Sequence, residues 1–145
     1  MKSRPRSTRM PTTPAEARAL MNSGSVITEA MVQNAGVQLG RMRGWYVSIT
    51  YLGSEGGGAI FSTAGMPDTF WAKNGLSLWI EYKRPGGKLR ASQVLNIPRM
   101  RAAGVLVFVI DSLSGTERIL DTIEKSGNPD VHLARQRIFP TEGTE

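Results

Sequence analysis

Residues 65–84 read GMPDTFWAKNGLSLWIEYKR, and the fold is decided in this stretch. Asn74-Gly75 is the strongest short signal for a two-residue type I′ turn, because both central positions of that turn need φ > 0. On either side, residues 66–73 and 76–84 are rich in aromatic and branched side chains and are expected to form two antiparallel strands. With Asn74 and Gly75 as the turn, Lys73 faces Leu76. Stepping away from the turn one residue at a time on each strand brings Phe70 opposite Trp79 and Asp68 opposite Glu81. Directly opposed side chains have Cβ atoms roughly 5 Å apart, so two carboxylates in that position repel each other unless a cation intervenes. Lys83 joins the same face, since residues two apart in a strand share a side.

Two carboxylates converging beside one ammonium form a site of hard oxygen donors, the kind that suits Mg²⁺ or Mn²⁺. An ion there would neutralise a phosphodiester oxygen and acidify an attacking water, with Lys83 holding that water or the developing charge. The alternative is a cross-strand salt bridge, which accounts for Lys83 and one acid but leaves the other uncompensated.

Outward from the hairpin, the pattern predicts an α/β sandwich with a mixed sheet. Thr28 reads as a helix cap, and Met31, Ala35, Leu39 and Met42 recur at helical spacing, which predicts a helix over 29–43 ended by Gly44. Residues 45–52 read as a strand, followed by the glycine-rich loop 53–58. After the hairpin come a helix over 92–103 with Pro98 as an expected kink, a continuous apolar strand over 105–110, and a helix over 115–125. Strand, helix, strand implies a right-handed parallel crossover. Residues 1–24 read as a basic arm, carrying Lys2, Arg4, Arg6 and Arg9, with a short helix capped at Thr13. The folded domain is expected over 25–140, with a polar tail at 141–145.

The chain has 145 residues, room for one core, and a net charge of +6 from 18 Lys and Arg against 12 Asp and Glu. That balance favours polyanions as partners. With no cysteine there is no disulfide, thiolate cluster or cysteine nucleophile, and with His132 as the sole histidine, histidine-metal nucleases and most catalytic triads are excluded. No apolar run is long enough for a membrane span and no secretory signal is visible, so a cytoplasmic protein is expected.

Gly65-Met66-Pro67-Asp68, then Ile80-Glu81-Tyr82-Lys83, then Pro85-Gly86-Gly87-Lys88-Leu89 and Ser92-Gln93 form an ordered set. It resembles the signature of VRR-Nuc domains, nucleases of the PD-(D/E)XK superfamily, over roughly residues 27–112. The resemblance implies a restriction-endonuclease-like fold and a Mg²⁺- or Mn²⁺-dependent DNA endonuclease, with Asp68, Glu81 and Lys83 as catalytic residues. It further implies that Glu29 and the main-chain carbonyl of Tyr82 join Asp68 and Glu81 at the metal, with Gln33 on the face of Glu29. Gln93 is implied as a phosphate or water contact. Selectivity for branched DNA or Holliday junctions, a homodimer and a phage-encoded protein in a bacterial cytoplasm are implied in the same way. Glu29 can also be read as a first-turn acid favouring the helix dipole, and Gln93 as a helix-start hydrogen bond.

Arg84, Lys88 and Arg90 are candidate phosphate contacts or, equally, a solvated basic turn. Gly86-Gly87-Lys88 lacks the Ser or Thr and the earlier glycine of a nucleotide-binding loop, so no nucleotide cofactor is expected. Gly44-Trp45-Tyr46 and Tyr51-Leu52-Gly53 lie too close together for a GIY-YIG nuclease. A catalytically silent nucleic-acid-binding module of the same fold and a sequence-specific restriction-type enzyme are the alternative functions; the second would need a recognition subdomain.

Overall fold

The computed structural model describes residues 13, 15, 16, 18, 19, 26–50 and 63–126. Most of the basic arm, the 53–58 loop, His132 and the tail lie outside the described residues. From Glu29 onward the described residues form, in order, α1 (Glu29–Met42), β1 (Tyr46–Ile49), β2 (Thr69–Lys73), β3 (Leu76–Tyr82), α2 (Ala91–Ala102), β4 (Val107–Ile110) and α3 (Leu113–Ser126). The strands form one mixed sheet in the order β1-β2-β3-β4, with the first two pairings antiparallel and β3-β4 parallel. The expected α/β class and mixed sheet are both present. Before α1, Ala15, Glu16, Arg18 and Ala19 are helical, the Thr13 hydroxyl accepts from the Glu16 N–H at 3.1 Å, and Arg18 forms an ion pair with Glu117.

The hairpin turns where the sequence places it. Asn74 and Gly75 have φ of 50° and 80°, and Lys73 pairs with Leu76, Phe70 with Trp79 and Thr69 with Ile80. β2 begins at Thr69, three residues later than expected. Pro67 has no N–H to give to a ladder, and the Asp68 N–H is diverted to the Glu81 side chain. β3 stops at Tyr82, although the Lys83 N–H still donates to the Ile110 carbonyl at 2.8 Å.

The sheet has apolar side chains on both faces. On one, Trp71, Leu78, Ile80, Tyr82, Phe108 and Ile110 pack with Val32, Ala35, Leu113 and Leu120 of the two flanking helices. On the other, Ile97 of α2 closes over Val107 and Val109, with Trp79, Leu89 and Met100 around them. α1 is seated by two glycines one turn apart. A Cβ on Gly36 would lie 2.2 Å from the Tyr82 hydroxyl, and one on Gly40 would lie 2.0 Å from the Trp71 ring. The capping box at Thr28 starts this helix with Glu29 in its first turn. α2 continues through Pro98, whose missing N–H leaves the carbonyl of the half-exposed Val94 without its helical donor. Among the described residues no helix is long and apolar enough to cross a membrane.

Candidate metal centre

At the open end of the hairpin, Asp68 and Glu81 stand side by side. The Asp68 N–H donates to Glu81 Oε2 at 2.9 Å, and the Tyr82 N–H donates to Asp68 Oδ2 at 3.2 Å. Each acid is therefore held by the main chain of the opposite strand. Glu29 comes from the first turn of α1, and one carboxylate oxygen from each of Glu29, Asp68 and Glu81 lies within 4.8 Å of the other two. The three acids that the sequence pointed to are brought together.

Lys83 completes the centre. Its ammonium lies 3.0 Å from Glu81 Oε1, and both side chains are buried. Gln93 is buried as well. Its Nε2 donates to Glu81 Oε1 at 2.6 Å and its Oε1 accepts from the Arg90 N–H at 3.0 Å. Both ends of the amide are thus bound within the protein, so Gln93 fixes Glu81 and the start of α2 in one contact, and the helix-start reading describes part of its role.

The electrostatics follow from this crowding. Burial, and then the charge of Asp68, raise the Glu81 carboxyl to about 7, against the opposing pull of Lys83 and Gln93. Burial also raises Asp68, opposed first by the Tyr82 N–H and then by Lys83, with Arg90 contributing from further off. Three acids this close, with one ammonium among them, hold excess negative charge that protons or a cation must offset. The donor set is entirely oxygen, so the residues fit a hard divalent ion.

The Tyr82 main chain has a geometric claim to the same ion. N–H groups of Trp79 and Lys83 point to β4, while that of Tyr82 points to the β2 side at Asp68. In an extended strand the N–H and C=O of one residue point to the same edge, so the Tyr82 carbonyl is also directed toward β2. Extending the register by two pairs beyond Thr69 and Ile80 sets Pro67 opposite Tyr82, and proline has no N–H to offer that carbonyl. The Tyr82 ring itself is on the far side, buried and hydrogen bonded to Thr116 at 3.0 Å.

A cavity of about 220 Å³ opens beside Asp68, lined also by Thr50, Gly65, Met66, Arg90, Ser92 and Gln93. Arg84, Lys88 and Arg90 are all exposed. Arg84 begins a tight turn, with Gly86 at φ 73° and the Gly87 N–H donating to the Arg84 carbonyl at 2.8 Å. Two supporting residues were not anticipated from the sequence. Asn96 donates to the Gly65 carbonyl at 3.1 Å and so ties the approach to Asp68 onto α2. Asp111 is raised by its burial, against the opposing pull of the Gly86 N–H in the basic turn. The position of Asn96 three residues after Gln93 is the signal for the first; Asp111 has no comparable local signal.

The chain matches no protein-family model and no curated protein.

Proposed function

We propose that this protein is a divalent-metal-dependent DNA endonuclease with a restriction-endonuclease-like core, of the VRR-Nuc kind that its hairpin motifs resemble. The observation that carries the reading is the convergence of Glu29, Asp68 and Glu81 within 4.8 Å, with the Lys83 ammonium buried against Glu81. A salt bridge alone needs one acid, and here two further acids stand beside the one that Lys83 pairs with.

The three carboxylates and the Tyr82 carbonyl would hold Mg²⁺ or Mn²⁺. Such an ion supplies Lewis acidity toward a phosphodiester oxygen and lowers the pKa of a bound water. Lys83 orients the attacking water and offsets charge on the phosphorus oxygens as it builds. The water oxygen bonds to phosphorus, one bridging P–O bond breaks, and a phosphomonoester and a hydroxyl remain. Gln93 keeps Glu81 from rotating away, while Arg84, Lys88 and Arg90 position the backbone through its phosphates. The +6 charge supports DNA as the partner. Selectivity for branched DNA, and a homodimer presenting two centres to two strands, belong to the same proposal through the family resemblance.

The test is cleavage of labelled linear, flap and four-way-junction DNA in Mg²⁺, Mn²⁺ or EDTA. Cutting is expected only with metal. Asp68→Asn and Lys83→Ala should each lower the rate by at least about 100-fold, the usual cost of removing one transition-state contact. Undiminished cutting by either variant overturns the assignment, and DNA binding by the wild type without any cutting identifies a silent binding module instead.

A further inference from the structure

The sheet face that carries Asp68 and Glu81 extends past them as a row of uncharged side chains. Alternate residues share a face, and the register pairs Ser48 with Phe70 and Phe70 with Trp79. Tyr46, Ser48 and Thr50 therefore stand on the same side as Phe70, Trp79 and the two acids. α2 covers the β4 half of this face through Ile97. Toward β1 no described helix lies over the face: Tyr46 is 65% exposed, and Ser48, Thr50, Phe70 and Trp79 are half-buried, with the Phe70 and Trp79 rings edge to face at 5.2 Å. The row leads directly into the centre, because the Thr50 N–H donates to the Asp68 carbonyl at 2.7 Å and Thr50 lines the cavity beside Asp68. From Thr50 to Tyr46 is four residues of extended chain, about 13 Å, a span of a few nucleotides.

The border of this face is basic. Asn96 reaches from α2 to Gly65, so its neighbours on that flank of the helix, Ser92 and Arg99, face the same way. Arg99 is exposed, and Arg90 lines the cavity at the near end. We propose that the β1 side of this face, where Tyr46 is exposed, is a platform for single-stranded DNA leading to the carboxylate centre, with an unpaired base stacked on Tyr46 and the backbone following the Arg99 and Arg90 side. This deepens the nuclease reading and rests on it for the choice of DNA. A duplex hides the faces of its bases and presents phosphates, which an uncharged aromatic and hydroxyl row does not match. Unpaired bases stack on aromatic side chains displayed by a sheet while cations follow the backbone. Tyr46 is the one strongly exposed apolar side chain on this face among the described residues, far short of the roughly 800 Å² per partner of a stable protein interface.

The experiment is fluorescence anisotropy of the full chain with labelled oligothymidylate and with a blunt duplex of equal length, all in EDTA so that nothing is cut. Tyr46→Ala should weaken oligothymidylate binding about tenfold, as loss of one stacked base does, and leave duplex binding unchanged. Tyr46→Phe should restore wild-type affinity. Equal affinity of wild type and Tyr46→Ala for oligothymidylate, or no binding by either, overturns the platform. So does a concentration-dependent dimer that Tyr46→Ala dissolves, since a second copy then covers the face. Metal-dependent cutting of paired DNA alongside such a result leaves the nuclease reading intact. Stacking-dependent binding without cutting of any substrate removes the nuclease reading and keeps the platform.

Discussion

Both oxygens of Glu81 are engaged, one by Lys83 and Gln93 and the other by the Asp68 N–H, and no part of the side chain reaches solvent. This network orients a carboxylate that burial and Asp68 push up to about 7. The sign for stability follows from that direction. An unfolded chain releases this proton near the ordinary value of 4.5, so between there and about 7 the folded state binds more protons than the unfolded one, and stability falls as pH rises through the window. Asp68, also raised, acts in the same sense. In EDTA, thermal unfolding from pH 5 to pH 8 should show a falling Tm contribution that Glu81→Gln flattens, because the amide has no proton to lose. Mg²⁺ should raise Tm more at pH 8 than at pH 5. An unchanged pH slope in Glu81→Gln would place the effect elsewhere.

At the scale of elements, the centre depends on how closely α1 lies on the sheet. Glu29 is supplied by the first turn of that helix, and Gly36 and Gly40 allow its backbone to rest against Tyr82 and Trp71. A methyl group at Gly40 has nowhere to go, since the Trp71 ring is fully buried and its indole N–H is held by Thr69 at 2.8 Å. Gly40→Ala should therefore cost about 1–3 kcal/mol through overpacking, net of the small gain in helix propensity. On a chain of this size that lowers Tm by roughly 5 °C. The same lift of α1 should weaken metal affinity by moving Glu29 from its partners, as isothermal titration with Mn²⁺ would show. A Gly40→Ala protein with wild-type Tm and Mn²⁺ affinity would mean that the contact is absorbed by movement elsewhere. The hairpin is the second rigid element, and its type I′ turn makes the facing of Asp68 and Glu81 a property of strand register rather than of loop conformation.

For the molecule as a whole, the excess of positive charge should set how the proposed affinity for DNA responds to salt. If Arg84, Lys88 and Arg90 each neutralise a phosphate, the slope of log K against log salt should become shallower by roughly 2 to 3 when all three are replaced by alanine. Anisotropy titrations with a duplex at several salt concentrations measure this, and an unchanged slope assigns the three to a merely solvated turn. Within the described residues, the hairpin, its register, the pairing of Asp68 with Glu81 and the order of helices and strands were all legible in the chain. Each follows from short-range rules: a turn dipeptide needing positive φ, period-two alternation, caps and apolar runs. The boundaries at Pro67 and Lys83 were less legible, because a strand ends where its partner stops offering hydrogen bonds. What local sequence could not supply was distance across the fold. Asp111 gave no sign of lying near the Gly86 turn, nor Gln93 of spending both ends of its amide inside the protein. The approach of Glu29 to the hairpin acids was implied only through resemblance, since close packing of α1 on Tyr82 and Trp71 decides it. Sequence by itself determined which charges share a strand face; the tertiary structure decided which of them meet, because contact between distant segments depends on the sum of packing at every glycine and ring between them.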